Sequence, residues 1–182
     1  IPSQGSVGAS GDLVPLSHMS LALIGEGEVH FNDRVIPTIV ALRERGIEPL
    51  ELGPKEGLGL VNGTQVSTAF ALLGLHKMEK LLKTADIIGA ITVEATLSSR
   101  NVFNPKIHRL KRHPGQQKCA GNIWRILRGS KIVSSHRECG TVQDPYSVRC
   151  IPHIHGASRE LFASMKRIIE NEINSVSDNP LV

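Results

Sequence analysis

The sequence predicts a mainly α protein: a helical bundle over residues 56–182, preceded by a small mixed α/β segment over residues 1–55. Three observations carry that expectation. Apolar residues recur at three- and four-residue spacing from residue 62 to 99 and again from 158 to 174, the period of helices with one buried face. Glycines, prolines and turn-forming pairs crowd the first 55 residues around one hairpin pattern. The composition, 182 residues with 40% hydrophobic and 21% charged side chains, suits a globular chain able to bury a sizeable core.

Taken in order, residues 13–24 are apolar and broken only by Pro15, which suits the first turn of a helix that Gly25 and Gly27 end. Glu28–Phe31, the turn pair Asn32-Asp33 and Arg34–Ile36 read as a hairpin. Pro37 opens a brief helix that Gly46 stops. Residues 48–52 are expected to form a short strand, and 53–59 a loop. Asn62 is a candidate N-cap for a helix running to about Lys83, with Val66, Phe70, Leu73 and Leu81 on its inner face. Residues 84–99 continue that register through Ile87, Ile88, Ile91 and Ala95. The stretch 100–115 holds Pro105, Pro114 and a concentration of basic side chains, and reads as irregular. A short helix follows over 116–128, closed by Gly129. Residues 134–152 lack periodicity. An amphipathic helix over 158–174, with Leu161, Met165, Ile168 and Ile169 on one face, completes the bundle.

The formal charge of +4 is small and scattered, and one Trp, one Tyr and four Phe offer few stacking platforms, so nucleic acid is not an expected partner. No apolar run approaches the ~20 residues of a membrane span, so no membrane contact is expected either. Cys119, Cys139 and Cys150 form no C-x-x-C pair, which points to reduced thiols in a cytoplasmic setting. The first residue is Ile1, and a reactive motif crowds against it. The chain is therefore expected to be an internal fragment, truncated at both ends.

That motif is Gly8-Ala9-Ser10-Gly11-Asp12-Leu13. Small side chains between glycines let the backbone bend tightly. Attack of the Gly11 amide nitrogen on the Ala9 carbonyl carbon closes a five-membered ring. Loss of water from the ring, and of the Ser10 hydroxyl as water, leaves an exocyclic methylene conjugated to an imidazolone. Gly11 supplies an unhindered nitrogen, Ser10 the group eliminated, and Ala9 a side chain small enough for the bend. The alternative is a glycine-rich turn with Ser10 or Asp12 capping the next helix.

Three more stretches bear chemistry. Leu60-Val61-Asn62-Gly63-Thr64-Gln65 sets a carboxamide at a helix start, where capping alone is the plain alternative. Gln143-Asp144-Pro145-Tyr146-Ser147-Val148-Arg149-Cys150 spaces a phenol and a guanidinium three residues apart. The Arg149 fork matches a carboxylate bidentately, and Tyr146 can donate or accept a proton. A proline-initiated turn with Arg149 paired to an internal acid is the alternative. Asn174-Ser175-Val176-Ser177-Asp178-Asn179-Pro180-Leu181 reads as a helix end passing into an Asn-Pro turn. His153-x-His155, with His136 and Cys139 nearby, has the residue types for zinc without a strong ligand spacing, and no metal site is assigned.

The string from Gly5 to Met19 resembles the signature of the aromatic amino-acid ammonia-lyases, and the histidine ammonia-lyases most closely. Asn62-Gly63-Thr64-Gln65 and the Gln143 block resemble the histidine enzymes as well. Val148 departs from a usual leucine, and His153-Ile154 from a frequent Gln-Val. The resemblance runs through four motifs in the family's order over essentially the whole chain. It implies a helical bundle of the ammonia-lyase type and elimination of ammonia from L-histidine to give urocanate. It implies no added cofactor, only the 4-methylidene-imidazol-5-one group (MIO) formed from Ala9-Ser10-Gly11. By the same resemblance Asn62 lies beside that group, Tyr146 joins the catalytic set, and Gln143, Arg149 and Asn179 bind substrate. It further implies a small-molecule amino-acid substrate and a homotetramer with shared active sites. The family's base, a tyrosine on an N-terminal loop, and a downstream glutamate have no counterpart here, so the fragment alone is expected to be inactive. Two rivals stand beside this expectation: a phenylalanine or tyrosine lyase or aminomutase of the same family, and a non-catalytic helical interaction module.

Overall fold

The computed structural model describes residues 1–2, 4–5, 10–177 and 181. It is mainly helical, and the chain divides into two compact units, Ile1–Leu72 with Glu170–Val182, and Leu73–Ile169.

In the first unit, α1 (Leu13–Leu23) takes Pro15 in its opening turn, where a missing N–H costs nothing. Strands β1 (Glu28–Phe31) and β2 (Arg34–Pro37) pair antiparallel, with Phe31 opposite Arg34 and Glu28 opposite Pro37. Asn32 and Asp33 both adopt positive φ, 48° and 60°, the geometry of a two-residue turn matched to strand twist. Helix α2 (Thr38–Glu44) follows directly. The strand expected over residues 48–52 does not form. Pro49 cannot donate to a ladder, and the segment is held instead by one bond from Leu50 N to Leu23 O, 2.9 Å. Part of the expected loop is a short helix, α3 (Glu56–Val61). Its Glu56 carboxylate accepts from Gly53 N at 2.7 Å, a local closure that offsets the two glycines in the helix.

Helix α4 (Gln65–Ala95) is one continuous element of 31 residues. Asn62 does not cap it. Asn62 ends α3, and α4 starts three residues later. The buried stripe of α4 is Leu75, Leu82, Asp86, Gly89, Ala90 and Val93, whereas Phe70, Leu73, Leu81, Ile87, Ile88 and Ile91 of the expected inner face are exposed. Apolar residues on more than one face give periodicity no single face to report. The segment Glu56–Ala95 reaches a mean hydropathy of 1.3, long and apolar enough to cross a membrane by length and composition. The sequence reading expects no such run. Hydropathy alone is weak grounds for a span here, because the chain leaves the helix at Gly63 and Thr64 between α3 and α4, and open backbone groups are costly in hydrocarbon.

The second unit continues through a 3-10 turn (Arg100–Phe103), α5 (Pro105–Lys111), α6 (Pro114–Ile126), α7 (Lys131–Ser135), α8 (Tyr146–Arg149) and α9 (Ile151–Glu172). The stretch expected to be irregular is thus mostly helical. Asn104 caps α5 by accepting from Lys106 N at 3.0 Å, and each proline occupies a first turn. Helix α9 begins seven residues earlier than its periodicity suggests. Ala90, Val93, Phe103, Cys119, Ile123, Leu127 and Val148 form the core. Helices α6 and α9 touch backbone to backbone, since a Cβ at Gly156 would lie 2.6 Å from Gln116 Cα. The three cysteines are free thiols.

One buried carboxylate ties three helices of this unit together. Asp86, only 1% exposed, accepts from Arg159 Nη2 at 2.5 Å and from Asn122 Nδ2 at 2.7 Å on Oδ2, while Oδ1 faces His155 Nδ1 at 3.1 Å. Burial opposes its charge. Hydrogen bonds from Asn122, Cys119 and His155, with the Arg159 guanidinium, nevertheless hold the carboxyl below the ordinary aspartate value. A lowered folded-state value means its contribution is present above the unfolded pKa and lost as pH falls through the folded one. Asp86→Ala is expected to cost about 3–5 kcal/mol, because it strands the Arg159 guanidinium. Urea unfolding checks this. The variant should also lose part of the wild-type stability change on acidification below pH 3.8.

Candidate active site

The first unit brings three of the four motifs together. Ser10 and Gly11 sit at φ 56° and 85°, in the left-handed region that favours glycine. The Asn62-Gly63-Thr64 turn lies directly against them. Asp12 N donates to Gly63 O at 2.7 Å, and a Cβ on Gly11 would fall on that same carbonyl oxygen. Only a glycine fits at position 11.

Asp12 holds this crossing in place. It precedes α1 but makes no side-chain cap. Its carboxylate, 4% exposed, turns to α4 instead and accepts from Ser67 N at 2.7 Å and Ser67 Oγ at 2.6 Å. The chain just after the reactive tripeptide is thereby clamped to the helix that follows Asn62. Sequence reasoning considered Asp12 only as a possible cap. Its partner is 55 residues away, and nothing local signals the pairing. Thr64 Oγ1 and Gln65 Nε2 reach Glu172 Oε1 (3.2 Å) and Ser177 Oγ (3.3 Å), bringing the C-terminal stretch to the same turn. Ala9 and Asn179 lie outside the described residues.

The second unit assembles the Gln143 block. Gln143, Asp144 and Arg149 line a cleft of about 730 Å³, shared with Arg100, Trp124 and Arg137. Arg149 Nε donates to the Asp144 carbonyl at 2.9 Å, so the guanidinium is anchored by backbone rather than by an internal acid. Its Cζ stands 5.4 Å from the Tyr146 ring centroid. Among the described residues its two Nη atoms have no further protein partner, which leaves one edge of the fork for a ligand. Asp144 is a support that sequence reasoning quoted without a role: its carboxylate accepts from Ser99 N at 2.9 Å while its carbonyl holds Arg149. Arg100 lies 3.6 Å over Trp124, and burial followed by the nearby Arg128 lowers its pKa. The cleft therefore presents guanidinium groups and suits a small anion. The histidines weighed as metal ligands do not gather: His153 turns to Gln116 Nε2 (3.5 Å) and His155 to Asp86.

The chain belongs to the aromatic amino acid lyase family, whose profile matches residues 1–182. Within the family the chain is 50% identical over 182 residues to the histidine ammonia-lyase of Sorangium cellulosum. The match covers 100% of this chain and 35% of that relative, so the chain spans about a third of the curated relatives' length. Among solved structures, Pantoea agglomerans phenylalanine aminomutase superposes with a TM-score of 0.87 at 31% identity, over 100% of this chain and 38% of that one. The histidine ammonia-lyase of Trypanosoma cruzi gives 0.81 at 38% identity, over 100% and 33%.

Gly11→Ala combines a left-handed φ with a collision against backbone, and is expected to cost at least about 1–3 kcal/mol in urea unfolding. Gly140→Ala, where an added Cβ meets nothing within 4 Å, should be near neutral in the same experiment.

Proposed function

We propose that this chain belongs to an ammonia-lyase that eliminates ammonia from L-histidine to give urocanate, and that it contributes the electrophile and the carboxylate clamp of the active site. The observation that carries the reading is the clamped crossing at Gly11 and Gly63. It holds Ser10 and Gly11 in left-handed backbone, φ 56° and 85°, with no room for a side chain on the residue whose nitrogen would attack. Ala9, Ser10 and Gly11 would form the MIO group, and Asn62 would stand beside it. When formed, that group supplies an electrophile that draws electron density from the substrate and so eases departure of the amine and loss of a barely acidic β-hydrogen.

The remaining work falls to side chains of this chain. Arg149, fixed by the Asp144 carbonyl, would take the substrate carboxylate on its free Nη edge. Tyr146, its phenol exposed beside that guanidinium, would move a proton at the substrate. Gln143 would hydrogen-bond the bound amino acid from the cleft wall, and Asn179 would join the same binding set. The curated relatives at about 50% identity are histidine ammonia-lyases, which supports histidine as the substrate. The high TM-score to the aminomutase reports the shared fold. The whole protein would act as a homotetramer with shared active sites, as the resemblance to the family implies.

Two variants of the whole protein test the reading. Ser10→Ala should lower urocanate formation by more than about 10³-fold, beyond the loss of a single hydrogen-bond donor, with the far-ultraviolet circular dichroism unchanged. Wild-type protein should be lighter by two water molecules than its sequence, and the variant should not. Arg149→Lys should raise KM for L-histidine about 10- to 100-fold, because a point charge cannot reproduce the fork. Full turnover in the first variant would overturn the electrophile, and an unchanged KM in the second would overturn the clamp.

A further inference from the structure

Apart from the proposed active-site residues, the second unit gathers three metal-ligating groups of different chemistry at one point. Asp86 Oδ1, Cys119 Sγ and His155 Nδ1 lie within 4.8 Å of one another, with Asp86 and Cys119 buried and His155 half-buried. Their spacings resemble the edges of a coordination tetrahedron. Metal–sulfur, metal–nitrogen and metal–oxygen bonds of about 2.3, 2.0 and 2.1 Å give a sulfur–nitrogen edge near 3.5 Å and a nitrogen–oxygen edge near 3.3 Å. The observed separations are 3.6 Å and 3.1 Å.

We propose that Asp86, Cys119 and His155 form a binding site for a divalent cation of the zinc class, independent of the activity proposed above. Mixed sulfur, nitrogen and oxygen donors suit a borderline-soft ion rather than calcium or magnesium. The surrounding shell is that of a ligating carboxylate: Oδ2 of Asp86 is held by Asn122 and Arg159, which frees Oδ1 for the ion and fixes its direction. The His155 ring also lines a pocket of about 360 Å³, together with Gly89, Thr92 and Ile151.

The exchange balances. The cation replaces the Cys119 thiol proton, which leaves to solvent, while His155 shifts its single proton from Nδ1 to Nε2. Asp86 and Arg159 already cancel, and the thiolate cancels one of the two new positive charges. A hydroxide or chloride at the fourth position returns the cluster to neutrality.

The test uses the whole chain, stripped with a chelator and dialysed against Zn²⁺ or Co²⁺. Wild type should take up one equivalent, show thiolate-to-cobalt charge-transfer absorption, and unfold at higher temperature with zinc present. Asn122→Ala should weaken binding about 10- to 100-fold. Cys119→Ser should abolish the charge-transfer band, whereas the Cys139→Ser/Cys150→Ser double variant should keep it. Should Cys119→Ser fail to fold, His155→Gln decides, because its side chain is partly exposed: loss of the stoichiometric site supports the proposal. Absence of stoichiometric uptake by wild type overturns it. So does a charge-transfer band that survives in folded Cys119→Ser, or undiminished binding by His155→Gln.

Discussion

The constraint on which the proposed chemistry depends is a carboxylate gripping a helix start. Asp12 accepts two hydrogen bonds from Ser67 and, through its own amide, holds the Gly63 carbonyl. Without that grip the Ser10-Gly11 bend would have to persist on its own, and left-handed backbone at a serine is disfavoured. With it, the cost of the bend is borne by bonds to a nearly solvent-free aspartate. Each such charge-assisted bond is worth roughly 1.5–3 kcal/mol. The glycine at position 11 follows as a steric consequence, since its neighbour on the open side is backbone and cannot yield.

The second unit solves a related problem with the same kind of group. Asp86 joins α4, α6 and α9 through Asn122, His155 and Arg159. Helices that carry glycine at their contact, as α6 and α9 do at Gly115 and Gly156, approach closely but offer little side-chain area to register them. A buried polar network supplies the direction that packing alone leaves loose. It is also where three potential ligands converge, because a carboxylate that satisfies several donors at once must gather them within a few ångströms.

In the Gln143 block, local and distant effects combine. Pro145 and the short α8 put Tyr146 and Arg149 on consecutive turns, which adjacency in the chain already dictates. That Arg149 leans on a backbone carbonyl and keeps an edge free depends on Asp144, whose own carboxylate is claimed by Ser99. The exposed phenol of Tyr146 and the cleft lined by guanidinium groups fit a site that takes a small anion from solvent.

Read alone, the sequence settled the helical class, the hairpin and its two-residue turn, and the motif order that identifies the family. All of these rest on short-range rules: period, turn chemistry, and residue types that chemistry needs side by side. It misjudged the strand over residues 48–52, the capping role of Asn62, the buried stripe of α4 and the start of α9. It gave no sign of Asp12 with Ser67, of Asp144 with Ser99, or of Asp86 with its partners. Those pairings span 55, 45 and up to 73 residues, and a carboxylate carries no local mark of which distant donor it will meet. Which face of α4 is buried was likewise decided by the neighbours that reach it, because apolar residues on more than one face leave the choice to tertiary packing.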